Sequence, residues 1–446
     1  MTTSIDLSVE YRHYLQFNQI STAYYQRLIN TRIPRYIQCM NRGSLTLNDI
    51  KNNFLQQPHI IVQCTVIPHV YQLMTTDLHH KINVSHTPLY QLHHIHGMDI
   101  ASIICCYVLL GHHNHTNQHI LDICVAPGNK LLCINNQCTN SYITGVDCSY
   151  NRLCTTRSLC RKYIQPGSSS NNHIQLCLCD GTKYNQLSSS SNTTHTNTNN
   201  TTTTDNNYNH IIDLTTDGDC CNISDIDRKV LKKQNKRHTH PSKSDNHKQL
   251  YDRILVDAEC THDGSVSHIL KYSDTSHGTL HLNHHTFQQS FMNNDRLSSL
   301  QSLQRNLLIN SFGLLQCNGV LVYSTCSLLR AQNEEIIEWF ISQYPDQIQI
   351  VDNVFDNSVL YSEVYQNNSK NKLYDHRLIY QIHCRYDSMT EDQINTDRIP
   401  PLLYESTPIR NITTNDIIGH SIRFDPLVSN TSGLFVCKMM KVSKLQ

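Results

Sequence analysis

Charge is scarce in this chain. Only 16% of its 446 residues are charged, and 36 basic side chains balance 36 acidic ones. A formal net charge of zero argues weakly against a nucleic-acid partner, because phosphate binding needs clustered rather than net positive charge. Long apolar runs are missing too. No stretch approaches 18 consecutive apolar residues, and the first residues, MTTSIDLSVEYRHYLQ, hold no apolar signal core. A soluble, intracellular, reducing setting without a membrane is the expectation. There are 19 Cys but no C-x-x-C, so the doublet spacing of zinc sites is lacking and no metal is expected. Most of these thiols are expected to be core or filler. Neither G-x-G-x-x-G nor G-K-[ST] occurs, which argues against a dinucleotide site and a P-loop. What is present is 38% hydrophobic residues and an excess of Asn, Ser, Thr and His. Part of the chain therefore reads as low-complexity insert.

Residues 1 to 33 carry Tyr, Leu and Ile at mixed helical spacing and predict one or two helices, stopped by Pro34. IPRYIQCMNR predicts a strand. LTLNDIKNNFLQQ predicts a helix with Thr46 as N-cap and Asp49 three residues later. HIIVQCTVIP is β-branched and predicts another strand. Residues 34 to 95 thus form a small α+β unit. From about residue 98 short apolar runs alternate with helical stretches: HILDICV (119 to 125), SYITGVD (141 to 147), HIQLCLCD (173 to 180), YDRILVDA (251 to 258) and GVLVYST (319 to 325). This alternation predicts an α/β domain, a parallel sheet covered on both faces. Residues 185 to 248, with the basic run KKQNKRH at 232 to 238, bury too little apolar area to offset their ordering entropy and read as a mobile loop insertion. The basic run is more in keeping with a solvated charge cluster than with phosphate contacts, and it is only a weak nuclear address. Residues 272 to 298 and 352 to 372 read as irregular loops.

LDICVAPGNK follows a strand and opens a helix, the place where open α/β sheets bind ligands. Gly128 permits close backbone approach, the helix N-terminus offers N–H groups to a carboxylate, and Lys130 adds positive charge. Asp147, ending the next strand, is placed to accept bonds from ribose hydroxyls. Asp180 ends the third strand and is expected near an adenine. S-adenosylmethionine suits this pattern. Two further strand ends deliver Asp257 with Cys260, and Cys326. Two thiols and a carboxylate beside a methyl donor have a specific use. Carbon 5 of cytosine is too weak a nucleophile to take a methyl group until a thiolate adds to carbon 6. A free Cys titrates near ~8.5, so a helix N-terminus or a cation should activate the nucleophile. LLRAQNEEIIEWF, directly after Cys326, is expected to supply that dipole. A second thiol serves as base, directly or through water.

At these residues the chain resembles the Nop/Sun family of RNA cytosine-5 methyltransferases. LDICVAPGNK looks like the family cofactor turn D-x-C-A-A-P-G-G-K, VDCSYNRL like its ribose segment, DAEC like D-A-P-C, and YSTCSLLRAQNEEII like its nucleophile strand. HGMDIAS (96 to 102) and RFDPLVSNTSGLFVCKMMK (423 to 441) resemble its entry and closing segments. The resemblance spans about residues 34 to 441 without the inserts. It implies a Rossmann-like domain at residues 96 to 446 with a mostly parallel seven-stranded sheet, preceded by an RNA-binding unit within residues 1 to 95. Cys326 is then the nucleophile and Cys260 assists product release, with Lys130 and Asp257 beside the base. Cys124, Val125, Ala126, Pro127, Gly128, Asn129, Lys130, Asp147, Arg152, Asp180 and Asp257 hold S-adenosylmethionine. The partner is an unpaired cytosine of transfer or ribosomal RNA, in the nucleus, nucleolus or cytoplasm. Asn129 departs from the second glycine of the turn, a change Asn suits because it tolerates positive φ. Glu259 departs from proline, and THDGS from the usual Ser-Gly. These departures keep open an RNA-binding or assembly factor that has lost turnover. A methyltransferase acting on DNA or protein is the other enzymatic alternative.

Overall fold

A computed structural model describes residues 33–40, 45–65, 67–75, 82–111, 115–164, 170–185, 250–269, 294–351 and 431–443. Short pieces at 4–6, 12–13, 210–213, 273–276, 279–282 and 421–424, and the single residues 16, 20, 28 and 426, complete it. The insertion at 185 to 248, with its basic run, lies outside the described residues apart from Asn185 and His210–Asp213. So do residues 352 to 372 and most of the helices expected before Pro34, where Ser4–Asp6 is a strand.

Four strands form a small antiparallel sheet: β1 (Arg35–Cys39), β2 (Ile60–Cys64), β3 (Val70–Thr75) and β4 (Ile95–Gly97), in the order β2-β3-β1-β4. Helix α1 (Leu47–Asn53) starts in a capping box between Thr46 and Asp49, as the sequence pattern requires, and buries Ile50 and the following Phe54 in the core of this sheet. β3 and β4 escaped the sequence reading. Gln38 and Gln72 are buried among the apolar residues of this sheet, which blurs the period-2 signal.

The large sheet has nine strands. They are β5 (His119–Ile123), β6 (Tyr142–Asp147), β7 (His173–Leu178), β8 (His210–Asp213), β9 (Tyr251–Asp257), β10 (Leu315–Thr325), β11 (Ile348–Ile350), β12 (Ser421–Phe424) and β13 (Leu434–Lys441). The order is β8-β7-β6-β5-β9-β10-β13-β11, with β12 also on β13. The five strands from β7 to β10 are parallel, and β8, β11, β12 and β13 join antiparallel. The count exceeds the expected seven because β8 comes from the expected insertion and β11 from a run of only three residues.

Each parallel strand alternates its buried side chains between two cores. Ile120, Leu255 and Val322 face one side, with α2 (Ile100–Leu110), α3 (Asn129–Gln137) and α4 (Tyr150–Tyr163). Leu121, Val256 and Leu321 face the other, with α5 (Asn294–Leu314) and α6 (Glu334–Gln343). α2 is apolar all round, and nearly every side chain in it is buried, the pattern of a core helix. No described helix is long and apolar enough to cross a membrane. Within the region expected to be irregular, Ser273–Ser276 and Thr279–Leu282 pair as an antiparallel ribbon, and α5 already begins at Asn294.

Candidate active site

Because β5, β6, β7, β9 and β10 run parallel, their carboxyl ends open on one edge, which carries Cys124, Asp147, Asp180, Asp257, Cys260 and Cys326. β5 leads into the turn 124–128. Cys124 takes φ 68° and Gly128 φ 99°, and the Ala126–Pro127 bond is cis. A Cβ on Gly128 would lie 2.7 Å from Thr156 Cγ2 on α4, so the turn needs glycine there for both conformation and space. Gly128 is also the N-cap of α3 and offers no side-chain cap, which leaves the helix end to backbone donors. Asn129 does not have positive φ. The tolerance of Asn for that conformation is therefore not what admits it. Asn129 is the first helical residue, and its Oδ1 lies 3.1 Å from His96 Nε2.

Asp147 fastens this turn. Its Oδ2 accepts from Ala126 N at 3.2 Å and its Oδ1 from Ser149 N at 2.8 Å. Arg152 Nη2 donates to Ala126 O at 2.8 Å. Asp180 caps its own turn through Thr182 and is more exposed. Lys130 leaves the helix N-terminus and pairs with Asp257 Oδ2 at 2.7 Å, while Ser324 Oγ donates to Asp257 Oδ1 at 2.8 Å. Burial acts to lower the Lys130 pKa, but Asp257 and nearby thiols outweigh it, so the ammonium is held charged.

Cys260 and Cys326 come together from loops 66 residues apart, with Sγ atoms at 3.3 Å. His262, named in the sequence only as part of a departure, is the third member. Its Nδ1 lies 2.9 Å from Cys326 Sγ and 3.7 Å from Cys260 Sγ. All three donor atoms lie within 4.8 Å of one another. Cys260 is buried and Cys326 half-buried. Burial and the neighbouring Cys326 push the Cys260 thiol far up, with His262 acting against them. α6 begins only at Glu334; Ser327 to Leu329 and the 3-10 turn Arg330–Gln332 intervene. The expected helix dipole thus does not start at Cys326. Asn333, the N-cap residue, spends its side chain on Thr325 and Ser327.

A buried polar network locks the two thiol loops together. Asp263 accepts from Thr261 Oγ1, from Ser327 Oγ at 2.8 Å and from Leu328 N at 3.1 Å. Gln332 Nε2 donates to Thr261 Oγ1 at 2.8 Å and to Ser327 Oγ at 3.0 Å. Gly264 N donates to Cys326 O at 3.0 Å; a Cβ on Gly264 would lie 2.7 Å from Cys326 O, and one on Gly433 2.8 Å from Gly264 O. Below, Arg423 forks onto Glu334 at 2.6 and 2.7 Å and donates to Leu328 O, all buried. Glu259, where the family pattern has proline, pairs with Arg296 at 2.5 Å. The sequence reading missed Asp263, Ser327, Gln332 and Arg423. The signals for Asp263 and Ser327 were closeness to Cys260 and Cys326, whereas Gln332 and Arg423 act through approaches that no spacing encodes.

Residues 196–378 match the family described as 16S rRNA methyltransferase RsmB/F. The chain resembles these RNA methyltransferases. Ribosomal RNA small subunit methyltransferase F of Pectobacterium atrosepticum is 28% identical over 109 residues, 24% of this chain and 19% of the relative. The mitochondrial tRNA (cytosine(34)-C(5))-methyltransferase of Danio rerio is 32% identical over 110 residues, 24% and 26% of the two chains. The aligned stretch thus spans about a fifth to a quarter of these relatives. Two solved structures from Pyrococcus horikoshii share the fold. A methyltransferase homolog is 16% identical at TM-score 0.52, covering 98% of this chain and 100% of the other. NSun6 with SFG is 13% identical at TM-score 0.52, covering 97% of each.

Proposed function

We propose that the chain transfers a methyl group from S-adenosylmethionine to carbon 5 of an unpaired cytosine in RNA, with Cys326 as nucleophile. The observation that carries this reading is the pair of thiols 3.3 Å apart on strand ends that share an edge with the Gly128 turn. The names of the relatives support the RNA class, ribosomal or transfer RNA, within the cell.

The turn fits the cofactor. Gly128 brings backbone close without a Cβ, the α3 N-terminus suits a carboxylate, and Asp147, with Cys124 to Lys130, Arg152 and Asp180 around it, suits a ribose. When bound, S-adenosylmethionine supplies an electrophilic methyl group. The protein supplies the rest. The Cys326 thiolate adds to carbon 6 of the cytosine and makes carbon 5 nucleophilic. Asp257, held by Lys130 and Ser324, faces the base edge. Water beside the buried, protonated Cys260 thiol takes the carbon-5 proton, with that thiol assisting by hydrogen bonding. Elimination then returns the electron pair to Cys326. The base must leave its stack to enter, so a loop or flipped cytosine is the substrate. We assign residues 96 to 446 to catalysis and residues 1 to 95 to RNA binding, a boundary that falls inside β4 of the small sheet. The small sheet is anchored on α3 by Asn136 Nδ2 to Cys39 O at 3.0 Å and by the His96–Asn129 pair.

The test is incubation with labelled methyl donor and total RNA. Label at carbon 5 of cytosine is expected. If folded protein binds the donor but no label reaches that carbon, the reading is lost. Cys326→Ala should abolish methylation. Cys260→Ala should instead accumulate an RNA adduct that survives denaturing gels.

A further inference from the structure

We propose that His262 is a catalytic residue that takes the proton of the Cys326 thiol through Nδ1 and so makes the attacking thiolate. This rests on the nucleophile role of Cys326 above. Three observations converge. Nδ1 lies 2.9 Å from Cys326 Sγ, the shorter of its two thiol contacts. The helix that was to activate Cys326 begins only at Glu334, so the thiol needs another source of charge. His262 also has φ 56°, a left-handed conformation that is strained for a side-chain-bearing residue and that glycine adopts freely. The family pattern has glycine in this segment. A His held there against the backbone preference, with its ring between two thiols, is placed for chemistry rather than for the turn.

The surroundings favour protonation of the ring. Burial alone would lower its pKa, but Cys260, Glu259 and Asp257 together outweigh burial and raise it. The other titratable groups nearby are accounted for. Glu259 is paired with Arg296, Asp257 with Lys130, and His268 packs on the His262 ring with centroids 4.7 Å apart. Tyr323 is buried, and burial first and Cys260 second hold its phenol protonated.

The proton count closes. The neutral imidazole enters with its proton on Nε2 and with Nδ1 as the acceptor. The Cys326 S–H proton moves to Nδ1, and the sulfur electron pair forms the S–C6 bond. After methyl transfer water takes the carbon-5 proton, the C5–H electron pair re-forms the C5=C6 bond, and the S–C6 pair returns to sulfur. The imidazolium gives its proton back to that thiolate.

The experiment reads thiolate formation without RNA. Folded protein with a chelator present is alkylated by iodoacetamide from pH 5 to 10, and modification at Cys326 is followed by peptide mass spectrometry. His262→Gly suits the left-handed backbone and should fold. His262→Gln keeps a polar ring-sized group without a base. Both should alkylate about tenfold more slowly at pH 7 and move the profile to higher pH. Superposable profiles for His262→Gly, His262→Gln and wild type would overturn the proposal. The two readings fail separately. Slower alkylation in both variants with no methyl transfer to any RNA supports the pair and removes the RNA reading. Unchanged alkylation and methylation in both variants removes the pair alone.

Discussion

The cofactor turn and the thiol site sit on one sheet edge but are built in opposite ways. The turn is one contiguous segment, 124 to 130, whose conformation follows from Gly128. The thiol site is assembled from loops 64 to 66 residues apart and exists only because Asp263, Gln332 and Arg423 hold those loops together. A local site should be sensitive to one residue's backbone. An assembled site should be sensitive to supports that never touch substrate.

Breaking a support is the strongest way to test this difference. Arg423→Leu strands Glu334 as a buried unpaired carboxylate and should cost ~3–5 kcal/mol, read by urea unfolding. Donor affinity at the turn, measured by calorimetry under folding conditions, should change far less. Equal losses at both sites would end the distinction. Gly128→Ala is the reverse case. Strain at φ 99° and the contact with Thr156 should cost ~1–3 kcal/mol and weaken donor binding, while alkylation of Cys326 stays near wild type.

Asp122 on β5 sharpens the comparison from beneath. Both its carboxylate oxygens are buried without a hydrogen-bond partner, and burial, then Asp257, push its pKa well up against the pull of Lys130. The unfolded chain ionises this group near ~3.9. Its folded value is raised, so its favourable contribution is present below that pH and is lost as pH rises towards the folded value. Asp122→Asn should therefore stabilise the protein at pH 7 by ~1–2 kcal/mol, with the gain vanishing below pH ~4 in thermal melts. Smallest is Asn129→Gly. Position 129 does not need positive φ, so restoring the family glycine should alter donor affinity by only ~0.5 kcal/mol, about twofold.

Legibility followed the range of the interactions. The runs at 119, 142, 173, 251 and 319 were readable because a strand buried on both faces must be continuously apolar. α1 was readable because Thr46 and Asp49 close a capping box within one turn. β3 was not, because buried Gln72 breaks its alternation, and β11 was not, because three residues carry no period. The residues of the turn were readable as a motif, although the reason given for Asn129 failed: which glycine needs positive φ depends on where α3 starts.

The sequence by itself determined the five parallel strands, the edge on which Asp147, Asp257 and Cys326 would open, and the thiol chemistry they suggest, since a strand buried on both faces must be continuously apolar and parallel strands share a carboxyl edge. Only the tertiary structure decided that Lys130 serves Asp257 rather than the helix end, that no helix dipole starts at Cys326, and that His262 stands between the two thiols. Those are contacts between segments distant in the chain, set by how the loops pack, and no spacing along the sequence encodes them.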